Sequence, residues 1–534
     1  MKNLTVNYRL IGFCLMSAFL ISACSVAEKN TSVSKQDVEQ NQTYSMNSNM
    51  ALATPEIKDD GYYNEDETAS EKYAEIAENP FLETSRAPLS TFSIDVDTAS
   101  YANVRRYLND GMLPPKDAVR IEELVNYFEY DYPQPIGNVP FSVTTEVATA
   151  PWNAKHKIVS IGLQGKKVSL DDVPPSNLVF LLDVSGSMND ARKLPLLKDA
   201  LRILVNQLTA KDRVAIVVYA GSSGLVLPST NNRNDILNAL NNLNAGGSTN
   251  GGEGIQLAYN VAQQNFIKNG NNRVILATDG DFNVGLSGDD ELVRLIEQKR
   301  QSGISLSVLG FGTGNTNDSM MEKLADKGNG NYAYIDSQAE ALKSLGSQVA
   351  GTLFTIAKDV KIQVEFNPAK VAGYRLIGYE NRLLANKDFN DDKKDAGEIG
   401  AGHSVTALYE IVPAGQAVEN DGIELKYGRV QPSESSFSDE LLTVKLRYKE
   451  PNETESKLLT QGLLDRGNSI ENASDNLKFA SAVAEFGMIM RDSHYKGNAN
   501  FGNVSNLAEN SLGSDLKNYR RDFLTLVGKA RRLK

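Results

Sequence analysis

"NLVFLLDVSGSMND", residues 177–190, runs from an uninterrupted apolar segment into one acid and two hydroxyls. A run that does not alternate with polar residues is a strand buried on both faces, the kind found in parallel sheets covered by helices. Three more such runs follow: "RVAIVVYA" at 213–220, "NRVILATD" at 272–279 and "ISLSVLGFG" at 304–312. Amphipathic stretches of helical period separate them. Alternating strands and helices of this type predict a doubly wound, mostly parallel α/β sheet, similar to a Rossmann fold, over residues 174–356.

In such a sheet, sites form outside the carboxyl ends of the strands. Three polar clusters fall there. Asp183, Ser185 and Ser187 follow the first run, Thr249 lies in "NAGGSTNGGEG" at 244–254, and Asp279 ends the third run. Taken singly, Asp, Ser and Thr before a helix are common caps. Taken together they can also activate a nucleophile or hold a metal. The five residues supply hydroxyl and carboxylate oxygens, the ligands a hard cation such as Mg²⁺ prefers. Gly186 permits the turn that brings Ser185 and Ser187 to one side.

The pattern resembles the von Willebrand factor type A domain, whose metal-ion-dependent adhesion site is written D-x-S-x-S, then a distant threonine, then an aspartate. The resemblance assigns Asp183, Ser185, Ser187, Thr249 and Asp279 to a metal site for Mg²⁺, with Mn²⁺ or Ca²⁺ as alternatives. It implies a protein partner that offers an Asp or Glu side chain to the metal. The flanks carry "FSIDVDTASYANVRR" at 92–106, "IEELVNYF" at 121–128 and "FGMIMRDS" at 486–493, and "LATDGDFNVG" lies at 276–285. Through these the chain resembles a lipoprotein family of bacterial envelopes.

Outside the insertion the period changes to two. Phe141, Val143, Thr145 and Val147 alternate with polar neighbours, as do Val360, Ile362, Val364 and Phe366, and Leu442, Val444, Leu446 and Tyr448. Half-buried strands on both sides of the α/β segment predict one antiparallel β-sandwich interrupted by an insertion. The expected organisation is a signal peptide at 1–23, a disordered tether at 24–80 and an N-terminal helical segment at 81–135. The first part of the sandwich follows at 136–173, the von Willebrand factor type A-like domain at 174–356, the second part of the sandwich at 357–466, and C-terminal helices at 467–534.

Lys2 and Arg9 precede the short apolar run "LIGFCLMSAFLISA", which leads into Cys24. The run is a secretion signal rather than a membrane span. "LISAC" resembles a bacterial lipobox, which implies cleavage before Cys24 and lipidation of its thiol. Ser25 then implies release to the outer membrane, so the expected location is the cell envelope, with membrane contact through the lipid. The Ser-, Asn- and acid-rich tether would span about 40 Å root-mean-square as a flexible chain. Cys14 lies within the signal, so the mature chain has no cysteine pair to form a disulfide. A formal charge of −12 over 534 residues argues against a nucleic-acid partner.

The three histidines, His156, His403 and His494, lie outside the insertion, so a serine nucleophile there has no local imidazole base. The reading favoured is a non-catalytic binding module. A metal-assisted hydrolase and a structural scaffold with a vestigial site are the alternatives. Weaker signals receive ordinary readings. Asp95 and Asp97, before Thr98, are a strand end and helix cap. Asp281 is a solvated loop acid, the glycines of "GFGTGN" serve turns, and the basic C-terminus is a solvated helix end. An apolar stripe of Leu516, Tyr519, Phe523 and Leu526 packs on the sandwich. Both insertion termini should lie opposite the metal loops, and the tether with them, so the socket should face away from the anchor.

Overall fold

A computed structural model describes residues 71–169, 172–220, 222–247, 251–280, 289–314, 316–418 and 438–534. Cys24, the signal, residues 24–70 of the expected tether, Thr249 and Asp281 lie outside the described residues.

The uninterrupted apolar runs form the middle of a six-stranded sheet. In spatial order its strands are Tyr332–Tyr334, Ser305–Gly310, Asn271–Thr278, Ser176–Asp183, Arg213–Tyr219 and Ser223–Thr230. All neighbours pair in parallel except the last two, which form an antiparallel edge. Every residue of Ser176–Asp183 is buried. Leu178, Phe180 and Leu182 pack on one face with helix Leu194–Gln207, and Val179 and Leu181 pack on the other with helix Gly251–Gln264. Burial on both faces is why these runs are mostly apolar; Arg273 and Ser307 within them are buried and hydrogen-bonded to each other at 2.6 Å.

The flanks form two antiparallel sheets around one core. The first runs Leu82–Glu83, Val371–Ile377, Ser404–Pro413, Asn153–Gly165, Phe141–Ala150. The second runs Gly397–Gly400, Thr355–Phe366, Glu440–Lys449, Lys457–Leu464, with Leu89–Ser93 also paired to Thr355–Phe366. Strand Asn153–Gly165 precedes the insertion and pairs with Ser404–Pro413 beyond it, Leu163 opposite Val405. Val159, Ile161, Ile362, Val364 and Tyr409 share the core between the sheets. Alternation fixes this register, because a one-residue slip would turn each apolar side chain to the other face.

Within 81–135 a short strand running to Asp97 is expected ahead of the helices, and Leu89–Ser93 is that strand; together with Leu82–Glu83 it joins the sandwich, which makes this segment part of the sheets as well as helical. Their partners lie more than 250 residues away, so no local pattern marks the pairing. The expected tether also ends too late. Asn79 is buried and donates to the Leu376 and Gly378 carbonyls, so residues 71–80 are anchored despite their polar composition. The helices Ala99–Asn109, Ile121–Asn126, Asp475–Arg491 and Tyr519–Leu533 share one core against the outer face of the first sheet. Phe523 and Leu526 belong to it, whereas Leu516 precedes the helix and is 90% exposed.

A buried ionic network joins the sandwich, the N-terminal segment and the inserted domain. Arg382 Nε lies 3.1 Å from Asp95 Oδ2, and its Nη2 lies 3.5 Å from Asp97 Oδ2 and 3.1 Å from Glu322 Oε1. Arg120 pairs with Glu123 and, at 2.6 Å, with Asp318. Thr98 makes no capping bond through its side chain, and Asp95 and Asp97 face the network. They follow the end of strand Leu89–Ser93 as expected, but the helix-cap part of the expectation is corrected, because the deciding arginine comes from residue 382.

Acids outnumber arginines in this network. Burial pushes the Glu122 carboxyl up to about 8, helped by the charges of Glu380, Glu123 and Asp95. Among the described residues Glu122 Oε2 has no hydrogen-bond partner. A carboxyl raised on folding contributes its full stability below the unfolded value of 4.5 and loses it as pH rises through the folded value. Glu122→Gln removes that loss. Its melting temperature should exceed wild type at pH 8 by at least about 2–4 °C more than at pH 5. Scanning calorimetry at both pH values checks this, and an equal difference at both would refute it.

Candidate metal centre

Strand Ser176–Asp183 delivers Asp183 to the carboxyl edge of the parallel sheet, and Asn271–Thr278 delivers Asp279 beside it. Both acids are fully buried. Asp183 Oδ1 accepts from the Ser185 backbone N–H at 2.9 Å, which folds the following turn over the carboxylate. Thr278 Oγ1 donates to Asp183 Oδ2 at 3.3 Å and accepts from Gly280 N–H at 3.0 Å. Gly280 has φ +92°, and a Cβ there would collide with the Asn317 backbone nitrogen. The position therefore requires glycine.

Ser185 is buried, Ser187 is exposed, and their hydroxyl oxygens are 3.0 Å apart. Mg²⁺ holds oxygens at about 2.1 Å in an octahedron, whose adjacent ligands stand about 3.0 Å apart. The two hydroxyls thus have the spacing of neighbouring ligands. The loop carrying Thr249 is fastened to this turn. Gly186 N–H donates to the Gly247 carbonyl at 3.0 Å, and Gly246 N–H donates to the Val184 carbonyl at 2.7 Å. The structure therefore brings together Asp183, Ser185, Ser187 and Asp279, and it fixes the loop up to two residues before Thr249.

Burial pushes the Asp183 carboxyl up to about 6, with the Asp279 charge adding to the rise against the hydrogen bonds from Ser185. Two buried acids beside two hydroxyls favour a cation, and this oxygen-only set fits a hard one. Asp183, Ser185, Ser187, Asp279 and, from its loop, Thr249 are the residues that would hold it.

One residue at this edge has no counterpart in the sequence reading. Lys193 Nζ lies 2.9 Å from Asp279 Oδ2, and the lysine is 8% exposed. Lys193 stands at the N-terminus of helix Leu194–Gln207, where the helix dipole disfavours a cation. A lysine placed there, ahead of the apolar period Leu194, Leu197, Leu201, Leu204, was the available signal.

The insertion's ends meet at the opposite edge. Val173, Ser176, Leu353 and Phe354 line one small cavity there. The N-terminal chain does not enter with them. Glu71 Oε1 accepts from Gly314 N–H at 3.1 Å, and Lys72 N–H donates to the Thr316 carbonyl at 2.9 Å. Both contacts are on the loop after strand Ser305–Gly310, at the carboxyl edge. Arg106, ion-paired to Glu71 at 2.7 Å, secures the contact. The expectation that the chain from the anchor joins at the edge away from the metal loops is corrected. An arginine and a loop amide, neither visible as a local pattern, hold it at the metal side.

Three family models match the chain. One described as von Willebrand factor type A domain matches residues 177–348, one described as von Willebrand factor matches 67–160, and one described as Uncharacterized protein YfbK, C-terminal, matches 351–533. Protein YfbK of Escherichia coli (strain K12) is 44% identical over 466 residues, covering 85% of this chain and 80% of that protein. The human inter-alpha-trypsin inhibitor heavy chain H3 is 25% identical over 262 residues, 45% of this chain but only 29% of its own length. Among solved structures, a von Willebrand factor type A protein from Catenulispora acidiphila aligns over 75% of this chain and 91% of its own, with TM-score 0.41 and 15% identity.

Proposed function

The chain belongs to the YfbK family and carries a von Willebrand factor type A domain at residues 177–348, and we propose that it binds a protein partner through a divalent metal held at the carboxyl edge of that domain. The metal is Mg²⁺, with Mn²⁺ or Ca²⁺ as substitutes. Asp183, Ser185, Ser187, Thr249 and Asp279 hold it, and an Asp or Glu of the partner completes its shell. The observation that carries the reading is the 3.0 Å spacing of the Ser185 and Ser187 hydroxyls above two buried acids. A metal held mainly by neutral hydroxyls stays electron-poor and favours an anionic ligand.

The proposed role is non-catalytic. His156 is bonded to Glu410 in the sandwich, and His403 is half-buried with its ring beside Gly351. Neither stands beside Ser185 to serve it as a base. The test is calorimetric titration of Mg²⁺ into the full mature chain, followed by crosslinked capture from envelopes with Mg²⁺ or with chelator. Metal-independent capture would defeat the reading.

The chain is further proposed to be anchored in the envelope by lipid on Cys24, at the outer membrane, as "LISACS" at 20–25 suggests. Cys24→Ser should abolish incorporation of a fatty-acid probe. Labelling that persists in the variant would rule out this anchor.

A further inference from the structure

We infer that Lys193 is a built-in counter-cation of the metal edge, one that weakens metal binding and makes it depend on an external carboxylate. The inference rests on the reading that this edge holds a divalent ion. Lys193 Nζ reaches Asp279 Oδ2 at 2.9 Å, and both side chains are withdrawn from water. The path of the lysine is specific. Its stem crosses Gly312, where any Cβ would overlap Lys193 carbons, and Gly312 has φ +79°. The backbone is held too: Lys193 N–H donates to the Asp190 carbonyl at 3.0 Å, and its carbonyl accepts from Leu197 N–H at 2.8 Å. The ammonium is therefore carried by a fixed helix start over a glycine that leaves it room.

Charge accounting gives the consequence. Asp183 and Asp279 together would neutralise a divalent ion. With Lys193 beside Asp279, the site supplies a net charge of only minus one, and the bound ion keeps an excess positive charge. The ammonium repels the metal when its shell is completed by water, and the excess charge draws a carboxylate to complete the shell. In the metal-free protein the same ammonium holds Asp279 against the repulsion of Asp183. Lys193 is thus a specificity-determining residue that acts through Asp279 and touches neither the partner nor the reacting shell.

The test uses the full mature chain, as wild type, Lys193→Met and Lys193→Gln. Mg²⁺ is the titrant in calorimetry. Removing one buried charge a few ångströms from a divalent ion should tighten Mg²⁺ binding about tenfold or more. In chelator, Lys193→Met should melt below wild type, and this loss should at least halve in an Asp279→Asn background. Equal Mg²⁺ dissociation constants in all three proteins overturn the inference while leaving the metal site standing. Weaker binding in both variants, or an undiminished melting loss in the Asp279→Asn background, also overturns it. No Mg²⁺ heat from any of the three overturns the inference and the metal reading together.

Discussion

Asp183→Ala should abolish Mg²⁺ binding, at least about a hundredfold, and with it Mg²⁺-dependent capture of a partner, while the protein stays folded. A hundredfold loss is at the upper end of what removing a group that merely supports a ligand costs, and Asp183 is more than that. It carries one of the two charges at the edge and also shapes the turn, through the bond from Ser185 N–H to its Oδ1. Without it the Ser185 and Ser187 oxygens lose the support that keeps them at ligand spacing. Stability should move the other way. Burial and the neighbouring Asp279 already hold the Asp183 carboxyl up to about 6, a sign that its charged form is disfavoured in the folded metal-free chain. Removing one of two adjacent buried acids relieves that burden, so the melting temperature in chelator should equal or exceed wild type. Calorimetric titration and thermal scans on the same preparation decide the point. Wild-type affinity in Asp183→Ala would sink the metal assignment, and a collapsed fold would show that the acid is structural.

Arg382→Ala should destabilise the protein by about 3–5 kcal/mol, the cost typical of removing one partner from a buried ionic group. The guanidinium faces Asp95, Asp97, Glu322 and Asp326 at 3.1–3.8 Å, in a site where it is itself well buried. Its removal leaves acids from the N-terminal segment and from the inserted domain facing each other. Burial already holds Asp97 and Glu322 above the usual carboxylate range, with Arg382 opposing the rise. Without the arginine they rise further, so the deficit should be largest above neutral pH and shrink toward pH 5, where protons replace the missing charge. Urea midpoints at pH 8 and pH 5 measure this. A deficit below about 1 kcal/mol, the range of exposed pairs, would mean that the network contributes little.

The parallel sheet was legible because its strands are apolar without interruption, and the sandwich because its strands alternate. Four of the five proposed ligands were found by the same signal, where a mostly apolar buried strand leaves the core at its carboxyl end. Thr249, the fifth, lies outside the described residues. What escaped reading depends on partners far apart in sequence. The strand Leu89–Ser93 was expected but not its place in the sandwich beside Thr355–Phe366, and Asp95 is a network acid because Arg382 reaches it. Lys193 belongs to the same class. Its helix position hinted at an acidic partner, but only the fold names Asp279. Polar composition also misled at residues 71–80, where a few well-made contacts anchor a segment with a single large aliphatic, Ile76.

The entry of the chain beside the metal loops gives the molecule a particular mechanics. Consider tension between the chain before Glu71 and a ligand gripped at the metal. Both points of attack lie on one edge of the central sheet, so the pull does not run lengthwise along its strands. The first element to bear it is the Glu71 clamp on Arg106 and Gly314. Behind it, residues 71–80 hold almost no regular structure. They can peel away one contact at a time, freeing a segment whose full extension is about 35 Å at 3.3–3.6 Å per residue. In the proposed complex the domain would thus be wired in series with a yielding strap, which would blunt a sudden jerk before it reached a partner held at the metal edge.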